Sequence, residues 1–294
     1  AYGHRARLAV DQDAGRRAAA QLAPQVRDDD AIVLSDNAYR RFFMNYYKQR
    51  TPMILTLPYS PGKQTSPEAV PPVVSNDPDA LIHPSNTLIL ADLAQRHDRL
   101  WLITDSSPFV AWANRPVEQY LARHYFPVRE VAGGDLARAV LFDLTNAPPP
   151  SAPLWPQERV GARFGDRLTL VGADFPAGRV VSRGASVPVS LLWEAAAPIE
   201  QDLTVALLLI APDGTVVAQR DSFPANAFEP TSTWRAGSLR RDNHAIAVAP
   251  DAPPSTYALW VVVYDWRAPG ERLTVTSLDG ETSDHALLGE ITVE

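Results

Sequence analysis

The string Ala147-Pro148-Pro149-Pro150-Ser151-Ala152-Pro153 constrains this chain more than any other. A proline run has no backbone N–H to give to a helix or a sheet, and it holds its flanks apart as a semi-rigid spacer. The texture of the sequence changes across it. Residues 1–147 read as one domain, 148–154 as a linker and 155–294 as a second domain. Two domains is also the expected division for a chain of 294 residues.

Before the linker, helical and strand-like patterns alternate. Asp11 to Val26 has a helical period through Ala18, Leu22 and Val26, with Asp11 or Asp13 as cap. Ala31-Ile32-Val33-Leu34-Ser35 is a short continuous apolar run, as in a strand covered on both faces. Ala38 to Gln49 reads as an aromatic-rich helix, Met53 to Leu57 as a strand and the proline-rich stretch from Pro58 to Pro84 as a long loop. Asn86 to His97 is helical, Leu100 to Thr104 a third strand, Val117 to Tyr125 a helix and Ala139 to Leu144 a closing strand. This alternation predicts an α/β domain: Rossmann-like, three-layered, with a mostly parallel sheet.

After the linker the helical period disappears. Strand-like stretches begin at Arg167, Val187, Leu203, Thr215, Ala245, Tyr257, Leu273 and Leu287, and Pro212-Asp213-Gly214-Thr215 is a hairpin signal. About eight strands with turn chemistry between them predict an all-β domain, an Ig-like or jelly-roll β-sandwich.

Composition removes several function classes. With no cysteine there is no disulfide framework, thiolate zinc site, Fe–S cluster or cysteine nucleophile. The 27 basic and 34 acidic residues give a net charge of -7. The split is 16 basic and 16 acidic through residue 150, then 11 basic and 18 acidic after it, so the excess lies in the second domain. An acidic domain repels phosphate backbones, so nucleic acid is not an expected partner. No stretch reaches the roughly 18 apolar residues of a membrane span. Ala1-Tyr2-Gly3-His4-Arg5 lacks the apolar segment of a signal peptide.

Several strings imitate catalytic motifs. Ser60-Pro61-Gly62-Lys63 and Ser35-Asp36-Asn37 match two signatures of penicillin-recognising enzymes. Their order is reversed, the third signature is missing, and Pro61-Gly62 makes a turn where a helix is required. Asp11-Gln12-Asp13 and Asp77-Pro78-Asp79 have the D-x-D form, but the first suits a helix cap and the second a turn. Asp28-Asp29-Asp30 reads as a solvated loop feeding a strand. The six histidines are scattered without ligand spacing, so no metal and no cofactor are expected.

Two groups of residues remain as binding candidates. In open parallel sheets, ligands bind beyond the carboxyl ends of the strands. Asp36 and Asn37 follow one strand there, and Asp105 and Ser106 another, with Tyr46 and Tyr47 as an aromatic rim. These side chains suit hydrogen bonding to a sugar or headgroup, and helix capping is the competing reading. In the second domain, Trp193 and Trp260 lie on apolar strands and are expected in the core. Trp234 and Trp266, at strand ends, are the carbohydrate-stacking candidates.

Joint order adds a resemblance. Asp30-Ala31-Ile32-Val33-Leu34, Tyr46-Tyr47, Arg99-Leu100-Trp101-Leu102-Ile103, Val117-Glu118-Gln119-Tyr120-Leu121 and Ala139-Val140-Leu141-Phe142 occur in sequence. That succession resembles the soluble C-terminal region of bacterial membrane glycosyltransferases of family 39, relatives of the protein mannosyltransferases. The second half, through Gly165-Asp166-Arg167-Leu168-Thr169-Leu170, Leu192-Trp193, Asp213-Gly214, Gln219-Arg220-Asp221, Pro230 to Trp234 and Tyr264-Asp265, is similar to a β-sandwich often appended to such enzymes. The resemblance implies an extracytoplasmic region of a polyprenyl-phosphate-sugar-dependent transferase, tethered through a membrane portion that is its partner within the same polypeptide. It implies that the catalytic acid lies in that portion, so no catalytic residue is assigned here.

Three functions follow as expectations. The first is a non-catalytic accessory region that assists binding of a glycan or a polyprenyl-linked sugar acceptor. The second is a stand-alone, hydrolase-like enzyme using Asp36 and Asp105. The third is a purely structural or assembly module.

Overall fold

The computed structural model describes residues 16–35, 45, 47, 53–57, 84–105, 115–132, 137–146 and 155–294. The chain divides into two compact units. One comprises Ala1–Leu121 with Arg129–Thr145, the other Ala122–Val128 with Asn146–Glu294. Among the described residues, strands take 47% and helices 18%.

The first unit is built on a sheet in the order β2-β1-β3-β5-β4, and by this division the end of its last helix and the first residues of β4, within Ala122–Val128, are counted with the second unit. Its strands are β1 (Ala31–Leu34), β2 (Ile54–Thr56), β3 (Arg99–Asp105), β4 (Phe126–Ala132) and β5 (Ala137–Asp143). The helices are α1, described from 16 to 22, α2 (Pro84–Arg96) and α3 (Pro116–His124). Proline opens α2 and α3, where its missing N–H leaves no bond unmade. Glu118 lies in the first turn of α3 and Arg123 and His124 in its last, each complementing the helix dipole. Every residue of β1 is buried, as expected of an apolar run covered on both faces.

The expectation of a mostly parallel, Rossmann-like three-layer domain is overturned. β1 is parallel to β2 and β3, but β5 runs antiparallel to β3, from Arg99 opposite Asp143 to Asp105 opposite Ala137. The strand that the sequence hid is β4. It sits at the edge of the sheet, the place in a sheet that tolerates a proline such as Pro127, and it carries Arg129 and Glu130. Four residues separate β4 from its neighbour β5, too few for a parallel crossover of about a dozen residues. The helix expected at Ala38 to Gln49, the loop from Pro58 to Pro84 and the string Ser60 to Lys63 lie outside the described residues, apart from single positions.

Asp30 also departs from expectation. Asp28 and Asp29 are exposed, but Asp30 is fully buried at the foot of β1. Its Oδ2 accepts hydrogen bonds from the indole Nε1 of Trp101 (3.0 Å), Arg99 Nη2 (3.0 Å) and the backbone N–H of Arg27 (2.9 Å). Arg99 Nε lies 2.9 Å from the other oxygen. Alternation on β3 puts Arg99 and Trp101 on one face, and Ala31 lies opposite Leu100, so the acid falls beside both.

The second unit is a β-sandwich. One sheet runs β11-β10-β13-β16-β8 and the other β12-β9-β7-β6-β14-β15. The long strands are β6 (Glu158–Phe164), β7 (Leu168–Asp174), β9 (Ser186–Ala195), β10 (Leu203–Ile210), β11 (Val216–Ser222), β12 (Leu239–Ala247), β13 (Ser255–Asp265) and β16 (Ala286–Val293). β8 (Val180–Val181), β14 (Val275–Thr276) and β15 (Thr282–Ser283) have two residues each. The β10–β11 hairpin turns at Asp213-Gly214, where Gly214 takes the positive φ the turn needs and Asp213 Oδ1 accepts the Thr215 N–H. Leu191, Trp193, Val205, Leu207, Leu259 and Val261 meet between the sheets. Trp193 packs edge-on against Phe164 with ring centroids 5.3 Å apart.

Between β11 and β12 the chain makes a left-handed turn over Pro224–Ala227, packed on β10, β11 and β12. Ala225, Asn226 and Ala227 have φ of 53, 54 and 67° without being glycine. Such a conformation is strained and persists only where its surroundings dictate it. Asp242 Oδ1 accepts the Ala225 N–H at 2.8 Å, and Asn226 Oδ1 accepts from Arg220 at 2.7 Å. The other oxygen of Asp242 accepts from His244 Nε2 at 2.7 Å, and both side chains of that pair are buried.

Candidate glycan-binding face

β13 sets the site through strand parity. Tyr257, Leu259, Val261 and Val263 point into the sandwich core, so Ala258, Trp260, Val262 and Tyr264 point outward. The expectation that Trp260 fills the core is therefore reversed, while Trp193 does lie there. β10 brings Ala206, Leu208 and Ile210 to the same outer face, with Ala206 opposite Val262 and Leu208 opposite Trp260. Trp260 and Tyr264 pack on this floor, and Leu287 of β16, 58% exposed, flanks Trp260.

A chain of polar groups crosses this floor. Gln219 Nε2 donates to Asp221 Oδ2 on β11, and the Tyr264 hydroxyl donates to the same carboxylate. The backbones of Tyr264 and Arg272 pair in an antiparallel bridge, which sets the Arg272 guanidinium near the phenol, and its Nη1 donates to Asp284 Oδ2 at 2.8 Å. His285 Nδ1 donates to Asp284 Oδ1, also at 2.8 Å. The His285 ring then stacks on the Trp260 indole, centroids 3.7 Å apart and planes 17° apart. Burial raises the Tyr264 pKa, and the charge and hydrogen bond of Asp221 add to it against the opposing pull of Arg272, so the phenol stays a donor. The hydrogen bond from His285, then that from Arg272, holds the Asp284 carboxyl below its ordinary range. Ring surface therefore lies beside donors and acceptors whose positions are already fixed. A polyhydroxylated ring, apolar on its C–H face and polar at its rim, meets both kinds of partner here.

Trp266, one of the residues singled out by sequence, is 59% exposed in the turn that follows β13. The turn is held by a fork. Arg267 Nε donates to Asp265 Oδ1 at 2.9 Å, Nη2 to Oδ2 at 2.5 Å, and the Arg267 backbone N–H to Oδ1 at 3.0 Å. These bonds lower the Asp265 pKa to about 2. Since the folded value is depressed, the fork's contribution is whole above the ordinary value of 3.8 and lost as the pH falls through about 2. An NMR titration should place the Asp265 midpoint near that lower value, and a midpoint at the ordinary value would show that the fork does not form in solution.

The other sequence candidates are dispersed. Trp234 is a correction: at 3% exposure it belongs to the sandwich core, its Nε1 donating to the Glu229 carbonyl at 3.0 Å, and its ring faces no solvent. Tyr47 is buried rather than rimming an open edge, and burial, with the negative charge of Asp30, raises its pKa. Asp105 is the last residue of β3, described by its backbone alone. Asp36, Asn37, Tyr46 and Ser106 lie outside the described residues. At the described carboxyl ends of β1 and β3, Ser35 Oγ donates to Thr104 Oγ1 (3.1 Å), which donates to Glu118 Oε1 of α3 (2.7 Å). In the sandwich, a pocket of about 280 Å³ opens between the β6–β7 turn and the β9–β10 connection, over Phe164, Leu168 and Leu203, with Asp166 and Glu200 at its rim. Among the described residues, no cluster of three or more His, Asp or Glu is set to hold a metal ion, and no helix is long and apolar enough to cross a membrane.

The second unit thus defines the chain as a β-sandwich protein with an aromatic outer face. No protein-family model and no curated protein sequence match it. Solved structures similar to part of it include the C-terminal domain of Wzt, at 11% identity and TM-score 0.35 over 47% of this chain and 81% of that one. The CARDB domain of a Pyrococcus furiosus protein, solved with di-metal ions, is similar at 11% identity and TM-score 0.27 over 45% of this chain and 93% of that one. A Niemann–Pick type C2 protein from the Japanese carpenter ant is similar at 9% identity and TM-score 0.25, over 47% and 98%.

Proposed function

We propose that this chain is a non-catalytic, glycan-holding region of a polyprenyl-phosphate-sugar-dependent membrane glycosyltransferase of family 39, on the extracytoplasmic side, and that the outer face of the β11-β10-β13-β16-β8 sheet is its binding surface. One observation carries the binding reading: the Trp260–His285 stack, held in place by Asp284 and Arg272 beside the Asp221–Tyr264 pair. A sugar lays its C–H face against the solvent-facing part of this stack while its hydroxyls bond the carboxylate oxygens and the Gln219 amide. Holding the acceptor beside a tethered transferase raises its local concentration, which accelerates transfer without a reacting group on this chain. The transferase assignment rests on the ordered strings quoted above.

Glycan-array binding followed by calorimetry tests the surface. The wild-type chain should retain a glycan that Trp260→Ala loses by about tenfold or more in affinity. Trp155→Ala, which removes an exposed indole ahead of β6 in the other sheet, should keep it. Retention by Trp260→Ala at wild-type affinity would overturn the assignment. The tether is tested in the encoding gene: several apolar segments of about 20 residues ahead of this region support it, and their absence overturns it.

A further inference from the structure

Resting on that reading of the outer face, we propose that the ligand is an internal stretch of an uncharged polysaccharide lying along β13, across Trp260, Tyr264 and Trp266, rather than a single sugar or a chain end. Three observations lead there. Strand geometry is the first. Trp260 and Tyr264 share the outward parity of β13, and at about 3.4 Å per residue they stand about 14 Å apart along the strand. Trp266 follows two residues later, at the head of the turn. One sugar ring does not reach from the first aromatic to the last, so a ligand that uses the whole track is a chain of rings.

The second observation is position. β13 is the middle strand of its sheet, with β10 and β11 on one side and β16 and β8 on the other. The track therefore runs across a sheet face, while the described pocket, at the β6–β7 turn, lies on other residues. A sheet face has no end wall against which a terminal sugar is measured, and an internal segment passes over it in either direction.

Charge is the third. The network's carboxylates, Asp221 and Asp284, are bonded to Gln219, Tyr264, Arg272 and His285. Glu290, opposite Ala258 on the same face, adds a further negative charge. The surrounding sequence from residue 151 onward is acidic, 18 carboxylates against 11 arginines. Uronate or phosphate groups along a polymer would meet repulsion here, whereas hydroxyl donors find carboxylate acceptors.

The test is a length series measured by calorimetry on the whole chain: malto-, cello- and manno-oligosaccharides of one to six units, with oligogalacturonates as the charged series. Affinity for at least one neutral series should rise about tenfold or more between one and four units and then level off. Capping both ends of the hexamer should leave its affinity unchanged, and Trp266→Ala should bring the hexamer toward the affinity of the dimer. Equal affinity for monomer and hexamer, loss of binding on end-capping, or preference for oligogalacturonate would overturn the polymer inference while a Trp260-dependent signal left the glycan surface standing. Failure of every series to bind the wild-type chain would overturn both.

Discussion

Replacing Asp30 with alanine is expected to destabilise the first unit by about 3–5 kcal/mol, the usual loss when one partner of a buried ion pair is removed. The acid has no exposure, and its removal takes an acceptor from three donors at once: the guanidinium of Arg99, which keeps only its bond to the Gln25 carbonyl, the buried indole N–H of Trp101 and the backbone N–H of Arg27. Asp30→Asn keeps the volume and an acceptor oxygen, so it should lose less. Denaturant titration followed by hydrogen exchange on β1 and β3 measures the effect. A loss below about 1 kcal/mol, the scale of an exposed pair, would show that water reaches the cluster. Asp30, Arg99 and Trp101 belong to the very strings that carry the family resemblance. Their meeting gives those strings a packing role, independent of any catalysis.

The second large effect is expected at Asp242. Its carboxylate serves His244 and the strained Ala225 N–H together, so Asp242→Leu should cost the sandwich about 3–5 kcal/mol. His244→Leu leaves the acid with one bond fewer in a buried site. The double substitution should be no worse than Asp242→Leu alone, because neither polar group then remains to be orphaned by the other. Calorimetric unfolding of the three variants decides it. Losses that simply add would show the two side chains to be independent.

Parts of this molecule were open to reading in the sequence. Asp213-Gly214 declared its hairpin because only a residue tolerant of positive φ fits there, and the strand texture after the proline run announced a sandwich. Trp260 was hidden by its own neighbours. In Ala258-Leu259-Trp260-Val261-Val262-Val263-Tyr264 both faces are apolar, so alternation has no polar phase to mark the outside. The signal that remained was parity: Trp260 shares it with Tyr264 and with exposed Trp266, and opposes that of Leu259, Val261 and Val263. Asp221 lies far from Arg272 and Asp284 in the chain, and they come near one another only through the pairing of β10 with β11 and β13, the backbone bridge of Tyr264 to Arg272 and the pairing of β13 with β16. In the first unit β4 escaped because an edge strand tolerates proline and charge, and with it went the antiparallel half of the sheet.

The left-handed turn at Pro224–Ala227 has a consequence for crowded surroundings. It lies against both β11 and β12, the outermost strands on that side of the two sheets, while the opposite borders end in the two-residue strands β8 and β15. In the sandwich, the turn therefore packs on the border where the long edge strands lie, and the opposite border offers a neighbouring copy only two-residue strands to extend. Where many copies stand side by side, the sandwich thereby meets its neighbours at that border with a left-handed turn packed on its outermost strands.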